Sequence, residues 1–485
     1  MKRFWQAAVF IGLALSTSTA RAGLDIGDPA PKLEVTEWVK GKPVDLAQEK
    51  GKGIVVVEFW ATWCQPCVAT IPHLTELQKH LGPKGVTIVG VTAEDPDNTL
   101  DQVKEFVKQR NDSIGYAIAF DKPGKMNEAY PMAANEQGIP TAFVVDREGR
   151  VAWIGHPLAG LDTALEEIIA GKYDVNVAKK LRMIMNKMQE AYYSEDWSAA
   201  LAGAEEIIAL KPTLMDGWDV KISILSGPLN RPDEAASAAK QATTHLNDRP
   251  RQLAGLASRL MSLEGKEFRD LAVQVGKRAS EAAPNDPEVR VAYFEVLAGV
   301  GQHDQARQWA VDALPVLKSD PMKSRHFAEL LSSQIYDGRY LDLALQSIEQ
   351  AIAAQPEEPR NLQTRFNILF IGKKDTLQAQ KVGDYIVEKA GNDAGFLNEF
   401  AWVLLTEEPF AGKFNHLALK AAQRCHELSK GENWMYLDTL ALAKFNTGAK
   451  KEAIELEKRA IELCPNEQFK RSLQESLHKF ESGAD

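Results

Sequence analysis

Two cysteines, Cys64 and Cys67, stand in Trp60-Ala61-Thr62-Trp63-Cys64-Gln65-Pro66-Cys67, directly after the run Val55-Val56-Val57-Glu58-Phe59. β-Branched residues that meet an aromatic pair, then a Cys-x-x-Cys, then an apolar-periodic segment read as a buried strand delivering both cysteines to the start of a helix. That geometry makes a reactive thiol. The free amides and positive dipole end of a helix N-terminus favour a thiolate, so Cys64, in the first turn, is expected to titrate below a free cysteine and to be the attacking sulfur. Cys67 lies one turn further on the same side, close enough to close a small disulfide and to resolve a mixed disulfide formed at Cys64. A Cys-x-x-Cys is also half of a zinc site, but no second pair follows at metal-ligand spacing, and neither a metal nor a cofactor is expected.

The octet from Trp60 to Cys67, with Pro72 five residues after the second cysteine, resembles the thioredoxin superfamily, and most closely the extracytoplasmic TlpA and ResA type. In that superfamily an acidic side chain lies beneath the pair. Glu58 falls on its position, and the resemblance implies that Glu58 accepts the proton of the Cys67 thiol. Electrostatics agrees in outline, because a carboxyl under an apolar sheet has its charged form disfavoured and can take a proton near neutral pH. The resemblance also implies a cis proline facing the disulfide. Gly138-Ile139-Pro140-Thr141, followed by Ala142-Phe143-Val144-Val145-Asp146, has that form. Pro140 would dock the substrate, and Ile139 would pair with it as an extended segment. Trp63, Gln65 and Pro66 complete the expected substrate contacts. His156, in Trp153-Ile154-Gly155-His156-Pro157, reads as a loop residue, since Glu58 already serves the dithiol.

The implied activity is thiol-disulfide exchange with protein substrates. Family proteins with the Trp-Cys-x-Pro-Cys form are mostly reductants, which implies a reductase supplied by a membrane electron donor. The acidic residue that the ResA type carries three positions beyond the second cysteine is Thr70 here. Two alternatives stand beside this reading. One is a peroxidase of the same fold, whose peroxide-attacking cysteine lies in a proline- and threonine-containing loop unlike Trp63–Cys67. The other is a scaffold whose repeats bind partners and whose thioredoxin-like domain is incidental.

What surrounds the motif bounds its setting. Met1-Lys2-Arg3, a largely apolar stretch to Ala20, and Ala20-Arg21-Ala22 before Gly23 read as a secretory signal peptide over 1–22, placing the protein in an oxidising extracytoplasmic space, most simply a periplasm. The formal charge of −10 becomes −13 once Lys2, Arg3 and Arg21 are removed. An acidic balance speaks against nucleic acid as a partner. Four cysteines in 485 residues are too few for disulfides to be the main staple of the fold. From Gly23 to about Tyr173 strand and helix patterns alternate, giving a thioredoxin-like α/β domain over 23–173. It would open with a hairpin of Leu33–Trp38 and Val44–Leu46 around Lys40-Gly41-Lys42.

After Tyr173 the strand signals stop, and the region 174–485 is helical with an internal repeat. Four segments place alanine, a small or apolar residue four later, another at seven and proline at twelve: Ala200, Ala204, Ile207, Pro212; Ala272, Gly276, Ala279, Pro284; Ala344, Ile348, Ala351, Pro356; and Ala453, Glu457, Ala460, Pro465, where Glu457 breaks the pattern. Copies without the proline surround Ala306, Ala310, Ala313 and Ala418, Ala422, Cys425. Steps of 34, 38 and 35 residues separate Ala272 from Ala306, Ala306 from Ala344, and Ala418 from Ala453. The pattern resembles the tetratricopeptide repeat, whose period is ~34 residues and whose small residues let paired helices approach closely. It implies an all-α solenoid presenting a face for protein partners. Cys425 and Cys464 are expected as two separate buried thiols.

Overall fold

Ile54–Phe59 is apolar at every position but Glu58, the pattern of a strand covered on both faces. In the computed structural model, which describes residues 23–110, 113–122, 124–136, 138–389 and 393–483, it is the central strand β2 of a six-stranded sheet. The leader read over 1–22 lies outside the described residues. The other strands are β1 (Glu37–Lys40), β3 (Val86–Ala93), β4 (Ala117–Asp121), β5 (Thr141–Val145) and β6 (Val151–Gly155), in the order β1-β4-β3-β2-β5-β6. β3 runs parallel to β2 and to β4, while β5 is antiparallel to β2 and to β6. The first six helices are α1 (Leu46–Glu49), α2 (Gln65–Leu81), α3 (Leu100–Gln109), α4 (Lys125–Asn127), α5 (Leu161–Ile169) and α6 (Val175–Tyr193).

Alternation along β2 assigns its side chains to two cores. Ile54, Val56 and the following Trp60 pack with Cys67, Ile71 and Leu74 of α2, Val103 and Val107 of α3, and Leu161 and Leu165 of α5. Val55, Val57 and Phe59 face the opposite layer, with Ile26, Met126, Tyr130 and Ala178. The expected opening hairpin does not form. Gly41 turns the chain at φ +80°, Asp45 caps α1 by accepting from the Ala47 amide, and β1 pairs instead with β4. An edge strand pairs with whichever sheet edge buries its apolar side, and β4 offers one.

The chain divides into two compact units between Asp196 and Trp197. That point lies beyond Tyr173 because α6 belongs to the sheet unit: Ala178 is part of its second core, and Lys179 and Arg182 pair with Asp25. The second unit is a succession of helices from Trp197–Leu210 to Glu467–Ser482, with no strand among the described residues. Its small repeat positions are all buried, including Ala204, Gly276, Ile348 and Ala422, and helices end before Pro212, Pro284, Pro356 and Pro465. At Gly276 a Cβ would come within 2.7 Å of the Tyr293 ring, so glycine permits that approach. Cys425 and Cys464 are free and buried. Among the described residues no helix is long and apolar enough to cross a membrane.

Candidate active site

The loop Trp60–Cys64 leaves the C-terminal end of β2 and turns at once into α2. Cys64 is the N-cap, with Gln65 and Pro66 as the first helical residues. Pro66 suits that turn, where the missing N–H has no partner to lose. Cys64 and Cys67 are joined as a disulfide, with their Cα atoms 5.2 Å apart. The Cys67 amide points at Cys64 Sγ from 3.2 Å, so the sulfur sits at the donor end of the helix. Cys67 is wholly buried and Cys64 is 5 % exposed. Gln65, Pro66 and Trp63, the last 52 % exposed, form the rim around it.

Across from the pair, Ile139–Pro140 is a cis peptide bond. It carries the Ile139 carbonyl oxygen to 3.8 Å from Cys64 Sγ. Pro140 is buried, Ile139 half-buried, and the Thr141 hydroxyl donates to the Gly138 carbonyl at 2.6 Å, tightening the loop. A second cis bond, Glu408–Pro409, lies in the helical unit.

Glu58 stands opposite Gly90 of β3 and Ala142 of β5, on the sheet face that packs against Cys67. It is 1 % exposed, and neither carboxylate oxygen has a hydrogen-bond partner among the described residues. Burial alone pushes its pKa up to about 8, because the charged form loses hydration and gains nothing in return. Burial, and after it the Glu58 charge, hold the Tyr116 hydroxyl well above its usual range. Gly90 permits close packing next to Glu58 in the sheet: a Cβ there would lie 2.9 Å from Ile118 Cδ1, 3.0 Å from Trp60 Nε1 and 3.2 Å from the Tyr116 ring. The structure thus brings together Glu58, Trp63, Cys64, Gln65, Pro66, Cys67, Ile139 and Pro140, drawn from β2, the loop that follows it, α2 and the loop before β5.

Residues 26–154 match the AhpC/TSA family. The chain is 36% identical to the thiol-disulfide oxidoreductase ResA of Bacillus thuringiensis subsp. konkukian (strain 97-27) over 133 residues, which are 27% of this chain and 70% of that protein. The chain belongs to the ResA-like thiol-disulfide oxidoreductases. It is also 29% identical over 209 residues to Protein FixW of Rhizobium leguminosarum, 39% of this chain and 93% of that one. Among solved structures, the thioredoxin family thiol:disulfide interchange protein of Chlorobium tepidum TLS is 30% identical, over 29% of this chain and 96% of that chain, with a TM-score of 0.25.

This ResA-like site has a support that the motif does not announce. Asn98, 0% exposed, lies just after β3. Its Oδ1 accepts from the Thr62 amide at 2.9 Å and the Thr62 hydroxyl at 2.8 Å, while its Nδ2 donates to Thr92 Oγ1 and the Ala93 carbonyl, each at 2.7 Å. Asp95 accepts from the Trp63 indole N–H at 2.9 Å. The turn Asp95–Asn98 therefore clamps both residues that precede the first cysteine. The sequence offered only a weak signal for this, an Asx-rich turn at a strand end.

Proposed function

We propose that this oxidoreductase is a reductase of protein disulfides that works outside the cytoplasm. In the reduced state Cys64 accepts the Cys67 amide and the α2 dipole as a thiolate. It attacks one sulfur of a client disulfide; a Cys64–client bond forms and the other client sulfur leaves as a thiolate. Cys67 then gives its proton to Glu58 in its ionised form, whose share grows as pH approaches about 8, and attacks Cys64 Sγ. The second client sulfur leaves, the client has gained two electrons, and the pair is left as the Cys64–Cys67 disulfide. A membrane dithiol donor would return two electrons by the reverse steps. The client lies along Ile139–Pro140, pairing with the main chain of Ile139, between the rim residues Trp63, Gln65 and Pro66.

The observation that carries this reading is the disulfide at the head of α2 with the Ile139 carbonyl 3.8 Å away across a cis proline. The burial of Glu58 with no hydrogen-bond partner among the described residues supports its role as proton acceptor. The basic-apolar start of the chain supports export. The helical unit is a tetratricopeptide-like platform for protein partners, a reading supported by the buried small residues at its repeat positions. The test is turnover by the reduced protein of insulin disulfides and of hydrogen peroxide. Insulin reduced much faster, with a pair potential below that of the glutathione couple, is the expected result. Preference for peroxide would replace the reading with a peroxidase.

A further inference from the structure

We propose that Arg182 is a positioning residue for the docking loop and sets the preference for protein over small disulfides. The inference rests on the reading of Ile139–Pro140 as the segment along which a client lies. Arg182 is on α6, beyond the matched family segment 26–154. Its side chain is 14 % exposed. Nη2 donates to the Ala134 carbonyl at 2.9 Å and pairs with Glu136 Oε1 at 3.0 Å, while Nε faces Asp25 Oδ1 at 3.5 Å.

Ala134 and Glu136 belong to the turn that precedes Gly138–Pro140, and Asp25 holds the guanidinium from the N-terminal stretch. The Ala134, Asn135 and Glu136 amides are engaged with the carbonyls of Tyr130, Met132 and Pro131, and Asn135 sits at φ +57°. The turn's own amides are thus consumed internally, and the Ala134 carbonyl takes its donor from Arg182. The Leu24 amide holds the adjacent Ala133 carbonyl at 2.8 Å. Downstream, the Thr141 hydroxyl holds Gly138, and Ile139 reaches Cys64 Sγ. Gly138–Pro140 is held at its far end by the Thr141 hydroxyl and β5, and the preceding turn at Ala134 and Glu136 is held by a guanidinium from outside the family segment.

A small disulfide needs only the Cys64 sulfur. An extended client must also pair with Ile139, so it bears the cost of ordering a loop that is not already ordered. Loosening the near end therefore raises KM for proteins and leaves small-disulfide chemistry alone.

The test uses the full chain with Arg182→Gln, Arg182→Lys, Glu136→Gln and the Gln/Gln double variant, assayed on insulin and on dithiobis-nitrobenzoate. Each Gln variant is expected to raise KM for insulin by roughly three- to tenfold, with kcat and the dithiobis-nitrobenzoate rate unchanged, while Arg182→Gln also lowers the melting temperature because Glu136, Asp25 and the Ala134 carbonyl lose a donor. Arg182→Lys, which keeps the charge toward Glu136 and Asp25, recovers most of the loss. The double variant is no worse than the worse single, because both act through one contact. An unmoved insulin KM overturns the proposal, as does a parallel loss on both substrates with a lower melting temperature. If the unsubstituted protein reduces neither substrate, the parent reading fails, and this one with it.

Discussion

Glu58 carries a cost that the proposed role of proton acceptor would offset. A glutamine or leucine would fill its place between Gly90 and Ala142 without burying an ionisable group that has no hydrogen-bond partner among the described residues. Because its folded pKa, about 8, lies above the ordinary 4.5, the folded chain keeps a proton that the unfolded chain releases. Its contribution to stability is full below 4.5 and is lost as pH rises through about 8. Glu58→Gln is expected to remove that decline, making the variant more stable than its parent at pH about 8 by upwards of ~1 kcal/mol. The same variant should slow resolution by Cys67 roughly a hundredfold. Denaturant unfolding at acidic and alkaline pH, with rapid-quench mixed-disulfide kinetics, reads both; an unchanged pH slope would mean that Glu58 is solvated.

At the scale of elements, the site depends on how one turn is tied to another. Asn98→Ala would strand the Thr62 amide and hydroxyl and the Ala93 carbonyl, and is expected to cost about 2–3 kcal/mol in urea unfolding. A loss below ~0.5 kcal/mol would show that water replaces the clamp. In the helical unit, Glu457 is wholly buried at the place that Ala204, Gly276 and Ile348 take in the other segments of the Ala-Ala-Pro spacing. Burial and the neighbouring Asp438 both raise its pKa, and burial raises that of Asp438. Two carboxyls sharing a site cannot both ionise cheaply. This end of the unit should therefore lose stability as pH climbs above the ordinary carboxylate range, and Glu457→Gln should flatten the dependence in thermal melts.

The elements also mark what a sequence reveals. β2, α2 and β5 were legible because their patterns are continuous and their function local: β-branched runs, a Cys-x-x-Cys, an Ile-Pro before a strand. The spacing of Ala, Gly and Pro likewise exposed the buried positions of the helical unit. The hairpin at Leu33–Leu46 was misread because a turn signal at Gly41 says nothing of which sheet edge a strand will join, and β4 lies far along the chain. Asn98 and Asp95 act through contacts across 36 and 32 residues that no local period encodes.

At the scale of the whole molecule, the two units are served by different cores, and α6 belongs to the first. A composition shift at Tyr173 marks where strands stop, not where packing stops. A chain ending at Asp196 is expected to keep the melting behaviour of the sheet unit. One ending at Tyr173 loses Ala178, Lys179 and Arg182 from that unit and should melt several degrees lower, a difference of about 2 kcal/mol. Equal melting temperatures would return the boundary to Tyr173. The account as a whole rests on which sulfur meets the client. Reacting the Cys67→Ser protein with a disulfide-bonded peptide and mapping the product by mass spectrometry tests this directly. The account predicts a stable adduct on Cys64, absent when Cys64→Ser is used instead; an adduct on Cys67 in that second variant, or none on Cys64 in the first, would contradict it.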